Sequence, residues 1–102
     1  MKTLVLFCSV LLIHLQASVS VGKEIYLKEC ANCHLEGKYF ASNKKAKEWS
    51  KLLKTDALNR LHQDKNISLP YLNSNNFLED KKHLKALLQK YSKDRGKHNS
   101  CY

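Results

Sequence analysis

Cys30, Ala31, Asn32, Cys33 and His34 stand in one run. Two thiols three positions apart, followed at once by an imidazole, form the spacing that attaches haem c. Each thiol forms a thioether with one vinyl group of the porphyrin, and the adjacent imidazole reaches the iron from the same side. The order has a geometric reason. Two bonds to the porphyrin edge one helical turn apart align the ring against the segment that carries them, so the Nε2 of His34 meets the metal without a search. The same residues admit two other chemistries. A redox dithiol shares the Cys-x-x-Cys spacing but expects a strand before it and a helix after it. A structural zinc site would take Cys30, Cys33 and His34 with a fourth ligand from His62, His83, His98 or Cys101.

The elements that must position these residues read as helices. Gly22, Tyr26 and Cys30 share one face, which predicts a short first helix over Gly22 to Cys33. Lys38 to Lys45 carries no repeat and is expected as a loop holding Tyr39 and Phe40. From Ala46, the positions Trp49, Leu52, Leu53, Ala57 and Leu61 keep helical spacing and predict a second helix of about four turns. His62 to Asn76 is turn chemistry around Pro70, with Leu69, Tyr71 and Leu72 available for one buried turn. A last helix is predicted from about Phe77 to Ser92 on the stripe Leu84, Leu87, Leu88 and Tyr91. Asn75 or Asn76 would cap it, with Glu79 and Asp80 in its first turn. Asp94 to Tyr102 reads as a polar tail with Gly96 as a stop. No stretch alternates as a strand does, so the predicted class is all-α: a small helical domain packed around a covalent haem.

The 102 residues hold 18 Lys and Arg against 9 Asp and Glu, a formal charge of +9, which leaves room for one small basic domain. Its start has the form of a secretory signal peptide. Met1, Lys2 and Thr3 precede an apolar run from Leu4 to Leu15, broken by Ser9 and His14, and Ser18 and Ser20 supply the small residues for a cut after Ser20. The run is shorter than the roughly 20 apolar residues that cross a bilayer. The expected organisation is a signal peptide over 1–20 and a helical domain over 21–102, exported to the periplasm. A domain of about 80 residues needs reinforcement, which a buried haem would supply. Haem attachment at Cys30 and Cys33 leaves Cys101 as a free thiol, a mixed disulfide or the bridge of a covalent dimer.

With this motif closing a first helix that carries Gly22 and Tyr26, and a last helix that carries Leu84, Leu88 and Tyr91, the chain resembles the small monohaem class I c-type cytochromes. The resemblance implies that the first and last helices cross beside the haem edge, that Gly22 permits the close approach, and that Tyr26 packs near Leu88 or Tyr91. It also implies an electron carrier and not an enzyme. The chain departs from the family in one respect. Members supply a Met from a loop before the last helix as second axial ligand, and the only Met here is Met1. The other axial candidates are His62, where the second helix runs out, then His83 among Lys81, Lys82 and Lys85, then His98 in the tail, a lysine, or an open position. Trp49 and Leu53, with Leu52 and Tyr39 or Phe40, are expected to wall the pocket.

Two imidazoles would fill both axial positions, and the expected function is then outer-sphere transfer of single electrons, at a potential below that of a Met-ligated centre. An open position would instead suit a peroxidase-like haem enzyme or a small-ligand sensor, with His62 as acid or base. Lysines are dense at Lys44, Lys45, Lys47 and at Lys81, Lys82, Lys85. Their field is expected to steer encounter with an acidic redox protein or membrane-associated oxidoreductase, with peripheral contact to anionic lipid. Nucleic acid is not an expected partner, because no reader motif is present.

Overall fold

The computed structural model describes residues 17–95, which form seven α-helices and no strand: α1 (Val19–Glu29), α2 (Ala31–His34), α3 (Gly37–Ala41), α4 (Ala46–Leu52), α5 (Thr55–Leu61), α6 (Leu69–Leu72) and α7 (Asn75–Lys90). The fold is all-α. Most of the expected signal peptide, together with Gly96, His98 and Cys101, lies outside the described residues. No helix among the described residues is long and apolar enough to cross a membrane.

The most extensive helix–helix contact joins α1 to α7. Gly22 makes it possible, because a Cβ there would stand 2.2 Å from the carbonyl oxygen of His83 and 3.1 Å from the Cβ of Leu87. Backbone meets backbone at this crossing. Tyr26, Leu72, Phe77, Leu84 and Leu87 pack into one core, with Tyr91 at its edge, while Leu88 joins Ala41 and Trp49 in a second. Tyr26 therefore shares its core with Leu87, one position before the expected Leu88.

Helix ends follow their caps. Ser18 is extended (φ −120°, ψ 124°) and its hydroxyl accepts the N–H of Val21, so α1 begins at Val19, and the boundary expected after Ser20 falls inside it. At Cys30 the chain leaves helical geometry (φ −122°, ψ −35°), which divides the predicted first helix into α1 and the single turn α2. Ser74 caps α7 by accepting the N–H of Phe77, where Asn75 or Asn76 was expected, and this places Glu79 and Asp80 beyond the first turn. The expected buried turn is present as α6, with Pro70 in its first turn.

Two other expectations are corrected. The segment expected as a loop contains α3, whose Ala41 is fully buried. The long second helix is two helices. Leu53 lies at φ −81°, ψ 61°, and the N–H of Lys54 donates to the carbonyl of Leu52 at 2.8 Å, an inverse γ-turn that ends α4. The break has a packing reason. Leu53 and Leu58 both lie against the Tyr26 core, whereas an unbroken helix would set them about 140° apart around its axis.

The segment after α7 is also more than a tail. Ser92 is fully buried, Lys93 donates its N–H to the carbonyl of Lys44 at 2.8 Å, and the Asp94 carboxylate accepts the N–H of Ala46 at 2.9 Å. Gln89 donates its side-chain amide to the carbonyl of Ala46. Every buried side-chain polar atom among the described residues has a hydrogen-bond partner.

Candidate functional site

The Cys-x-x-Cys-His run is one tight turn. The carbonyl of Cys30 accepts the N–H groups of Cys33 at 3.2 Å and His34 at 3.0 Å, which stacks the two cysteines and the imidazole on one short segment. Both thiols are free, Cys30 half-buried and Cys33 exposed. Leu35 then reverses the chain at φ 67°, ψ −155°, and is the only non-glycine residue among those described with a positive φ. A bulky side chain in this region stores about 1–3 kcal/mol of backbone strain. The turn is pinned on both sides. The N–H of Leu35 donates to the carbonyl of Ala31 at 3.0 Å, and the buried hydroxyl of Tyr26 donates to the carbonyl of Leu35 at 2.8 Å. Burial, and then the nearby Cys30 thiol, push the Tyr26 phenol up to about 12.

A redox dithiol fits this setting poorly. Burial first, then Glu29 and Cys33, push the Cys30 thiol up to about 12. A catalytic dithiol needs the opposite, a depressed thiol in an electropositive environment, and it needs a sheet to stand on. A closed zinc site needs four donors converging on one point. No group of three or more His, Cys, Asp or Glu placed to hold a metal ion occurs among the described residues.

An aromatic wall fixes the ring of His34. Phe40, on α3, lies 4.3 Å from it between ring centroids at an interplanar angle of 34°. Behind Phe40 stand Trp49 at 5.0 Å and Tyr26 at 6.0 Å. Trp49 is buried and donates its indole N–H to the carbonyl of Ala41 at 2.9 Å, so its place is behind Phe40 and not against the imidazole. Leu53 is half-buried between the two cores, and Tyr39, the other aromatic of the pair, is 65% exposed. The sequence had left Tyr39 and Phe40 undivided; the structure selects Phe40.

His62 comes to His34 from the end of α5. The two ring centroids are 5.9 Å apart with the planes at 82°. The Nδ1 of His62 lies 2.7 Å from the carbonyl oxygen of Leu58. A carbonyl only accepts, so Nδ1 is the donor of this bond, and the backbone oxygen fixes the orientation of the ring. Burial first, and then His62, hold the His34 imidazole below its ordinary pKa and so favour its neutral, ligating form. A reciprocal amide pair, Asn59 to Asn73 at 3.0 Å and Asn73 to Asn59 at 2.8 Å, ties α5 to the end of α6 across the segment that follows His62.

These donors fit haem c. Two imidazoles sharing one metal at nitrogen–metal bonds of about 2 Å have ring centres roughly 6 Å apart. The thiols of Cys30 and Cys33 lie on the turn that carries one of them. The immediate chain neighbours of the two imidazoles, Leu35 and Leu61, are 66% and 64% exposed.

His83 is placed elsewhere. Its Nδ1 accepts the backbone N–H of Ser18 at 2.9 Å, and its carbonyl faces Gly22, at the start of α1. The motif lies past the other end of that helix, about 16 Å of rise away for 11 residues. The structure thus brings His62, and not His83, to His34. Residues that sequence reasoning missed are Leu35, the carbonyl of Leu58 and the Asn59–Asn73 pair. Only Leu35 leaves a local trace, as the position directly after the motif. Comparison with family models, with curated proteins and with solved structures finds no match for this chain, so its functional reading rests on its own residues.

Proposed function

We propose that the chain is an exported monohaem c-type cytochrome that carries single electrons between redox partners in the periplasm, with haem c bonded through Cys30 and Cys33 and its iron held by His34 and His62. One observation carries the reading. A second imidazole, oriented by the Leu58 carbonyl at its Nδ1, has its ring centroid 5.9 Å from that of His34. When bound, haem c supplies a one-electron iron centre. The chain's residues determine how that centre behaves. Cys30 and Cys33 anchor it, Phe40 holds the plane of His34, and the Leu58 carbonyl holds the plane of His62. Ligands fixed in this way keep one geometry across the two charge states. Leu35 and Leu61, next to the two imidazoles in the chain, offer exposed apolar side chains to the porphyrin. Exposed Lys45, Lys47, Lys82 and Lys85 supply positive charge toward an acidic redox protein or a membrane-associated oxidoreductase.

The test is mass and optical spectroscopy of exported protein. The expected results are the mass increment of one haem, low-spin bands that do not respond to carbon monoxide or cyanide, and a midpoint potential below about +200 mV. His62→Ala is expected to give a high-spin ferric band and rapid ligand binding, and His83→Ala to leave the spectrum unchanged. A polypeptide mass with two unmodified thiols would remove the basis of the proposal.

A further inference from the structure

We infer that the leader is cut between Ala17 and Ser18, and that the mature protein begins with a Ser18 α-amino group bound to Nδ1 of His83. The inference rests on the export part of the proposed function and is independent of haem.

Signal peptidases read small residues on an extended segment. By sequence alone, a cut after Ser20 ranks first, because it has Ser20 and Ser18 at the two small positions, whereas a cut after Ala17 has Ala17 at the last position and Leu15 two before it. The folded product favours the other cut. Ala17 is exposed and non-helical, Ser18 is extended, and helix begins at Val19. Three bonds converge on Ser18. Its N–H donates to Nδ1 of His83 at 2.9 Å, its hydroxyl accepts the N–H of Val21 at 3.1 Å, and its carbonyl accepts the N–H of Gly22 at 2.9 Å. Val19 packs against the Tyr26 core.

Cleavage occurs on the translocating chain, before the domain folds, so the two products must be compared as folded proteins. A start at Val21 removes the cap, the Val19 contact and the donor to His83. It also leaves the backbone N–H of Gly22, at the crossing with α7, without its acceptor. The new α-ammonium would then sit inside the first helical turn, where the helix dipole is already positive. A start at Ser18 keeps all three bonds. Its ammonium lies outside the helix and donates to an imidazole nitrogen, a better partner for a charged donor than for the neutral amide it replaces.

The experiment exports the full precursor in a host that attaches haem, then determines the N-terminal sequence and intact mass of the product. A chain beginning at Ser18 is expected. A chain beginning at Val21, or one that keeps the leader, would overturn the inference. The haem increment is read separately in the same mass spectrum, so loss of one assignment leaves the other standing. A second arm fuses the Ser18 and Val21 starts to an unrelated signal peptide, each with and without His83→Ala, and follows thermal melting of the four products. The Ser18 form should melt highest, and His83→Ala should lower melting in that form alone. Equal melting of the two starts, or an equal loss from His83→Ala in both, would refute the α-amino contact with His83.

Discussion

The α1–α7 crossing and the His34–His62 region use the same kinds of residue to opposite ends. At the crossing, Tyr26, Phe77, Leu84 and Leu87 are each 3% exposed or less, and Gly22 lets the helices close to backbone contact. Beside the two imidazoles in the chain, Leu35 and Leu61 are each more than 60% exposed, and Leu35 is strained in its backbone. Apolar side chains hold the fold together in the first region and are presented outward in the second. The contrast separates stability from chemistry. Changes at the crossing should unfold the protein, and changes at the imidazoles should alter ligation while leaving the helices in place.

The largest effect is expected from Gly22→Ala. The new methyl would stand 2.2 Å from the oxygen and 2.8 Å from the carbon of the His83 carbonyl, and neither backbone has a rotamer with which to yield. The helices must part along their whole contact, at about 3 kcal/mol or more. For a domain this small, that is most of its stability. Dichroism melts would show it, and an unchanged midpoint would mean that the two helices do not cross at backbone contact. The next step is a double dissociation between the regions. His83→Ala, at the crossing, should lower stability by about 1 kcal/mol with no spectral change. His62→Ala should change the spin state with little loss of helix. If His83→Ala moved the spectrum, the assignment of the two histidines to separate regions would be wrong.

The two regions also differed in how far they could be read in advance. The crossing was legible because its residues repeat. Gly22 and Tyr26 stand one turn apart, and Leu84, Leu87, Leu88 and Tyr91 mark a stripe of helical period. The Cys30–His34 run was legible as a candidate haem site because its spacing is local. His62 was legible as the first of several candidates because it leaves the end of a helix; its approach to His34 and the orienting carbonyl of Leu58 were not, since both exist only in the folded state. The break at Leu53 was hidden for a related reason. Trp49 through Leu61 keep one unbroken period, and the γ-turn that divides them answers to the Tyr26 core, which is assembled from distant segments. α3 is too short to show a period at all.

A smaller effect sharpens the boundary between the regions, because Tyr26 belongs to both. Its ring is part of the crossing core and its hydroxyl holds the strained Leu35. Tyr26→Phe keeps the packing and removes the bond, an expected loss of about 1 kcal/mol. Leu35→Gly relieves the positive φ and is expected to stabilise the apo chain by about 1 kcal/mol. If the hydroxyl serves to hold the strained turn, the Tyr26→Phe loss should shrink in the Leu35→Gly background, which a double-mutant cycle measures. Strict additivity would make the hydroxyl an ordinary buried donor with no role in positioning His34.

The smallest effect lies away from both regions and depends on acid. Asp94 is held below its ordinary carboxyl pKa of 3.8 chiefly by the N–H of Ala46, with Ser92, its own backbone N–H and Arg95 adding and burial opposing. A depressed folded-state pKa means that ionised Asp94 favours the folded protein above the ordinary value, and that this contribution disappears as pH falls through the folded value. Asp94→Asn keeps an oxygen for the Ala46 N–H and removes the charge. The wild type should therefore be slightly the more stable at pH 7, and the difference should close in acid, once the pH has fallen well below the ordinary carboxyl value of 3.8. Melting curves of the pair at pH 7 and in acid decide it. A difference that persisted in acid would place the value of Asp94 in its shape and not in its charge at the start of α4.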